Sequence, residues 1–178
     1  TLNAGTVGGG TCLNSGYVGK ATVSITGGTI QGQFLLSDNY SLSSDHCYFT
    51  MTGGTIDNTN LGAIGASSYP RLKANGGAIY MEDPNGTVEI SAGTIQNCTG
   101  STLGGAVYMT NGTFTLSGTG KIQDCIATSD GGAVYLGGGT ANVNGGSLGD
   151  SGHPNKANRG AGIFLGSGTL SVTSGSIG

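Results

Sequence analysis

Charge is scarce in this chain of 178 residues: six Lys and Arg stand against nine Asp and Glu, 8% charged in all. Six scattered cations form no basic stripe, which excludes a nucleic-acid footprint. There is no tryptophan, and there are only three prolines and four cysteines. No stretch reaches the roughly 18 consecutive apolar residues that a membrane-spanning helix needs, and no signal peptide is evident. The four cysteines contain no CxxC, so a zinc site is not indicated. Helical periodicity is missing as well, because no segment repeats apolar residues at three- and four-residue intervals.

Glycine is what the chain has in abundance, at 38 residues. With net charge −3 and many Val, Ile and Thr, the composition is not that of a disordered chain, which pairs high net charge with few β-branched residues. The glycines recur in phrases. Aligned on GT(I/V) and its variants, one apolar anchor falls at Val7, Ile30, Ile56, Ile95, Ile122, Leu148 and Ile177, at steps of 23, 26, 39, 27, 26 and 29. A near-constant period in this range marks a solenoid or array. The long step contains LGAIGASSYPRLK, read as a loop insertion at 61–73 in an otherwise single domain over 1–178.

Upstream of the anchors lie apolar pairs separated by one polar residue: Val23/Ile25, Phe49/Met51, Val88/Ile90, Phe114/Leu116, Ala141/Val143 and Leu170/Val172. Such alternation is a half-buried strand. The pair Phe114/Leu116 sits one residue further from its anchor, because SGTGKI is one longer than SAGTI. A third phrase, GGAIYM, GGAVYM, GGAVYL and GAGIFL from Gly76, Gly104, Gly131 and Gly160, also reads as a short strand. Three short strands per repeat of about 27 residues predict an all-β, right-handed parallel β-helix of six to seven coils. Each coil stacks on the next at about 4.8 Å. Glycine supplies the corners, where positive φ and close backbone approach exclude a side chain.

Several columns follow from stacking the repeats. Asn58, Asn97, Asp124 and Asp150 stand two positions past the anchor and are expected to form an internal Asn/Asp ladder, since stacked amides can both donate and accept. Its functional counterpart would be an acid pair at Asp124 and Asp150, sharing a proton or a cation. Cys98 and Cys125 occupy equivalent positions of successive turns, which leaves a disulfide and a stack of two thiols both open. Cys12 and Cys47 are a second candidate disulfide across one coil. Tyr80, Tyr108, Tyr135 and Phe164 share one position between two aliphatic columns. With the aliphatics inward, the aromatics form an outward stripe, either stabilising the sheet face or offering a surface for lateral contact or carbohydrate. Sequons at Asn39, Asn85 and Asn111 are glycosylation acceptors where the source glycosylates; the one at Asn97 falls in the expected ladder. His46 and His153 have no partner at a recognisable spacing, Lys156 and Arg159 read as a solvated loop, and no catalytic residue, metal site or cofactor is indicated.

The phrases GGAIY and GGAVY, and GTFTLSG beside GTIQN, resemble the repeats of bacterial surface β-helix proteins of the adhesin-like kind. The chlamydial polymorphic outer-membrane autotransporters likewise repeat GGAI, with an FxxN motif. Here GGA or its variant stands at Gly76, Gly104, Gly131 and Gly160, and the second motif is replaced by forms such as Ile95-Gln96-Asn97. The resemblance covers 76–178 well and implies a passive cell-surface or extracellular role as stalk, adhesin or fibre. The chain begins at Thr1 and in mid-repeat, so it reads as a trimmed or mature segment of an exported protein. No capping helix is evident at either end. The partner would then be neighbouring repeats of a longer chain, or another copy stacking head to tail into a filament. Carbohydrate is the further partner that an outward stripe would admit. The competing function is a polysaccharide-binding or polysaccharide-degrading enzyme, lyase- or glycosidase-like. It would need clustered acids, and the nine acids are dispersed. Ice binding would need an unbroken TxT face.

Overall fold

A computed structural model describes residues 6–14, 21–36, 46–59 and 74–178, the first of these segments as backbone only. The expected insertion at 61–73 lies outside the described residues. The strands are β1 (Thr6–Asn14), β2 (Thr22–Ile25), β3 (Thr29–Leu36), β4 (Tyr48–Asp57), β5 (Ile79–Met81), β6 (Thr87–Gln96) and β7 (Thr99–Gly100). They continue with β8 (Val107–Met109), β9 (Thr113–Gln123), β10 (Ile126–Ala127), β11 (Val134–Leu136), β12 (Thr140–Leu148), β13 (Ile163–Leu165) and β14 (Thr169–Ile177). No helix occurs among the described residues. Every pairing is parallel, and the strand order β13-β11-β8-β5-β3-β4-β6-β9-β12-β14 is that of a β-solenoid.

The register carries the repeat. All seven anchors stack in one column, Val7 on Ile30, Ile56, Ile95, Ile122, Leu148 and Ile177. The paired apolar residues stack likewise, Val23 on Phe49, Val88, Phe114, Ala141 and Leu170. The solenoid has about five turns, fewer than the six to seven expected. Counting anchors overstates the turns, because anchors mark the boundaries between repeats; among the described residues the GGA column has the six rungs β1, β3, β5, β8, β11 and β13, which enclose five turns. Two of the three expected strands per turn are also one. β4, β6, β9, β12 and β14 each run unbroken from the apolar pair through the anchor, bending at the intervening glycines where the register shifts. Residues Ser117–Lys121 hold the extra residue of β9 in such a shift opposite β6.

The GGA phrase shows why glycine repeats. Gly131 has φ 70°, a left-handed conformation that costs other residues energy. Gly132 has no such need. A Cβ there would stand 2.8 Å from the Lys156 backbone, because the corner of one turn presses on the next. The interior is mostly apolar: Phe49, Met51, Ile56, Val88, Ile90, Ile95, Phe114, Leu116 and Ile122 are wholly buried. Like stacks on like along the axis, so each turn is buried by its neighbours.

Candidate functional site

The aromatic column is the most regular surface feature. Val107 and Met109 are fully buried on either side of Tyr108, as are Val134 and Leu136 beside Tyr135. The pleat therefore turns the rings to the outer face. Tyr80, Tyr108, Tyr135 and Phe164 stack with centroids 5.0, 5.3 and 5.3 Å apart and interplanar angles of 14°, 7° and 8°. Each inner ring thus spends both faces on its neighbours. Above the last ring lies the Arg159 guanidinium, 4.9 Å from the Phe164 centroid. Two hydrogen bonds of 2.7 Å tie it to the Asp130 carboxylate, which holds Asp130 below the usual carboxylate range. Arg159 is exposed, as expected of a solvated loop, and also caps this stack. Burial, then the Glu82 carboxylate that accepts from its hydroxyl at 2.8 Å, pushes the Tyr80 hydroxyl well above its ordinary value. Burial likewise raises Tyr108, with Tyr135 and Glu82 adding to it. Sequence reading missed the copy at Phe34, Leu35 and Leu36, where Leu35 pairs with Tyr80. Without a GGA phrase ahead of it, only the register reveals it.

The internal corner ladder is present with different members. Asn58 is buried; Asn97 and Asp124 are half-exposed and Asp150 is exposed. The reason is local. Asn97 and Asp124 adopt φ 55° and 53°, a left-handed conformation that Asn and Asp tolerate. That extra residue turns outward and moves the interior position to the next residue. The buried members around these rungs are Asn58, Cys98, Cys125 and Asn155. Asn58 clamps the turn below, donating to Gly32 O and Gly77 O and accepting from Gly32 N. Asn155 does the same three turns up, donating to Ile122 O and accepting from Cys125 N. Asn155 was missed because it lies seven residues past its anchor, Leu148. Gln33, fully buried and donating to the Asn75 and Gly76 carbonyls, gave no repeat signal either.

Cys98 and Cys125 are both wholly buried free thiols. Burial, then hydrogen bonding with Cys125, pushes the Cys98 thiol up. Cys47 is buried, while the side chain of Cys12 lies outside the described residues, and with it the expected Cys12–Cys47 pairing.

Outside the corner runs a second polar ladder. Gln96 Nε2 donates to Asp57 Oδ2 at 2.9 Å, Asn97 Nδ2 to Asp57 Oδ1 at 3.0 Å, and Gln123 Nε2 to Gln96 Oε1 at 3.4 Å. Burial alone would raise the Asp57 carboxyl, but the hydrogen bonds from Thr59, Asn97 and Gln96 outweigh it and hold it at about 2. Asp124 and Asp150 each meet different partner atoms. Asp124 Oδ2 meets His153 Nδ1 at 2.7 Å, and Asp150 accepts from Gly152 N and His153 N at 2.8 and 2.9 Å. These backbone donors lower the Asp150 carboxyl. His153 therefore has a partner, 29 residues away by sequence and one turn away in space. His46 stands 3.8 Å from the buried Asp83. Among the described residues no group of three His, Cys, Asp or Glu converges as metal ligands.

Asn85 and Asn111 are exposed, whereas Asn39 lies outside the described residues. On the long-strand face Thr87, Thr113, Thr140 and Thr169 stack in one column, but the column beside it reads Glu89, Thr115, Asn142 and Ser171. The TxT pattern is thus confined to single rungs. Among the described residues no helix is long and apolar enough to cross a membrane.

Comparison with protein-family models, with curated proteins and with solved structures returns no match. The fold is a parallel β-solenoid; the adhesin-like part of the resemblance rests on the repeat phrases of the sequence.

Proposed function

We propose that this chain is an extracellular or cell-surface structural rod, a stalk or adhesin shaft, without catalysis. The observation that carries the reading is the aromatic column. A carbohydrate platform offers ring faces to the ligand, and here the faces lie against each other and under Arg159, so the rings serve the rod's own stiffness. The low charge and the abundance of Gly, Thr, Ser and Asn support an exported protein.

Self-assembly head to tail belongs to the same proposal. In β14, Leu170, Val172 and Ile177 are 45%, 52% and 42% exposed, while their in-register neighbours Ala141, Val143 and Leu148 are buried. A rung of another copy laid on β14 would bury them and pair its open backbone edge. Negative-stain electron microscopy with size-exclusion chromatography tests it. Fibres with an axial repeat of roughly 25–30 Å, from five or six rungs at strand spacing, are expected. A monodisperse monomer at high concentration would remove the filament and leave the shaft.

The competing reading, a polysaccharide-binding or polysaccharide-degrading solenoid, draws on the Asp124–His153 contact at an outward corner. Glycan-array binding or release of reducing ends from acidic polysaccharides, lost in Asp124→Asn, would favour it over the structural rod.

A further inference from the structure

The two buried thiols at the corner are presented identically. Each follows a left-handed residue, Asn97 or Asp124, and each sulfur turns back to the carbonyl two residues before it: Cys98 Sγ to Gln96 O at 3.2 Å, and Cys125 Sγ to Gln123 O at 3.0 Å. The next residues, Thr99 and Ile126, are register partners of β7 and β10, so the cysteines sit one above the other at the spacing of parallel strands. That spacing, about 4.8 Å, lies inside the Cα–Cα range of disulfides. Cys125 Sγ also leans toward the lower turn, 4.0 Å from Ile95 O. Asn155 closes the column above, its Oδ1 accepting from the Cys125 N–H at 3.0 Å. Among the described residues, each thiol of this column has the other as its cysteine neighbour, since Cys47 occupies a different corner, ahead of β4.

We propose that Cys98 and Cys125 form a covalent staple between consecutive turns, made by thiol–disulfide exchange with a small-molecule disulfide of the glutathione type. One cysteine thiolate attacks the external disulfide and expels one thiolate, giving a mixed disulfide. The second cysteine attacks the protein-side sulfur and expels the other. Two S–H bonds are lost and one protein S–S bond forms; the reagent's S–S bond is reduced to two thiols, which take the two protons. Because both cysteines are wholly buried in the closed turn, the exchange belongs to folding, before the upper turn seals the lower. The staple closes a loop of 27 residues and so restricts the unfolded chain. It extends the structural reading without depending on it, since the chemistry is tested on the isolated chain.

The full chain is refolded in a glutathione redox buffer, its remaining thiols are alkylated, and it is digested with trypsin. Cleavage after Lys20, Arg71, Lys73, Lys121 and Lys156 leaves each of the four cysteines on its own peptide. The expected result is a cross-link between peptides 74–121 and 122–156, with a thermal midpoint several degrees above that of the reduced protein. Folded protein, judged by its β-sheet circular dichroism, in which both peptides are alkylated or either is linked elsewhere would overturn the proposal. The Cys98→Ser, Cys125→Ser double variant should lose the part of the redox-dependent shift due to this pair. Should that variant not fold, peptide mapping of the unsubstituted chain decides alone.

Discussion

Single residues in this molecule answer to single physical demands, and neighbouring glycines answer to different ones. Gly131→Ala forces an alanine into φ 70°, sets its methyl 2.7 Å from the Tyr135 backbone nitrogen inside its own corner, and should cost about 3 kcal/mol or more. Gly132→Ala drives a methyl to 2.8 Å from the Lys156 backbone, which cannot move without parting two turns. The loss there should be comparable, about 3 kcal/mol or more. Gly152→Ala, in an exposed turn with 3.4 Å to its nearest neighbour, is the neutral control. Urea denaturation of the three variants checks the order. Asn155→Ala leaves the buried Cys125 N–H without that partner, at about 1–3 kcal/mol, while the Ile122 carbonyl keeps the Gly149 N–H at 2.8 Å.

Asp57 gives a pH dependence at the same scale. Its carboxyl lies at about 2, below the ordinary 3.8, so the folded state favours the ionised form. The stabilisation is complete above the unfolded value near 3.8 and is lost as pH falls through the folded value near 2. Acid titration of the folded protein should show a loss of stability across that window, and Asp57→Asn should flatten it. An unchanged acid limb in the variant would mean that the hydrogen bonds from Gln96 and Asn97 are not maintained in solution.

At the scale of elements, the aromatic column links strands that the inward residues already align. Tyr108 has a stacked ring on each side, at 5.0 and 5.3 Å. With each stacked pair worth roughly 0.5–1.5 kcal/mol, Tyr108→Leu should lose about 1–3 kcal/mol in chemical denaturation. Phe164→Leu removes one ring pair and the Arg159 contact and should cost less, because β13 is less deeply buried than β8. The positions of this column were legible in the sequence because GGA recurs, and strand alternation sets which residues face outward. At two of its rungs the corner ladder was misread by one place, because Asn97 and Asp124 take a conformation that adds a residue without adding a turn. Spacing alone does not tell an inward from an outward residue there.

For the molecule as a whole, a solenoid is nearly one-dimensional, and each turn is held only by its neighbours. β6 and β9 have a turn on either side, while β14 pairs only with β12 among the described strands. Hydrogen exchange should therefore be slowest over Thr87–Gln96 and Thr113–Gln123 and fastest over Thr169–Ile177. Uniform protection along the chain, at a concentration where the protein is monomeric, would show that the turns unfold as one cooperative block instead.

The repeat itself was decided by the sequence. Recurrent anchors at a near-constant step, alternation within each phrase and glycine at the corners leave few architectures other than stacked parallel strands, because no single turn can bury its apolar face alone. The partnerships between turns were decided only by the tertiary structure. Asp124 with His153, Asp130 with Arg159, and Cys125 with Asn155 are each separated by about one repeat in sequence. They meet because the solenoid lays those residues side by side, at distances fixed by strand spacing and by which way each corner residue turns.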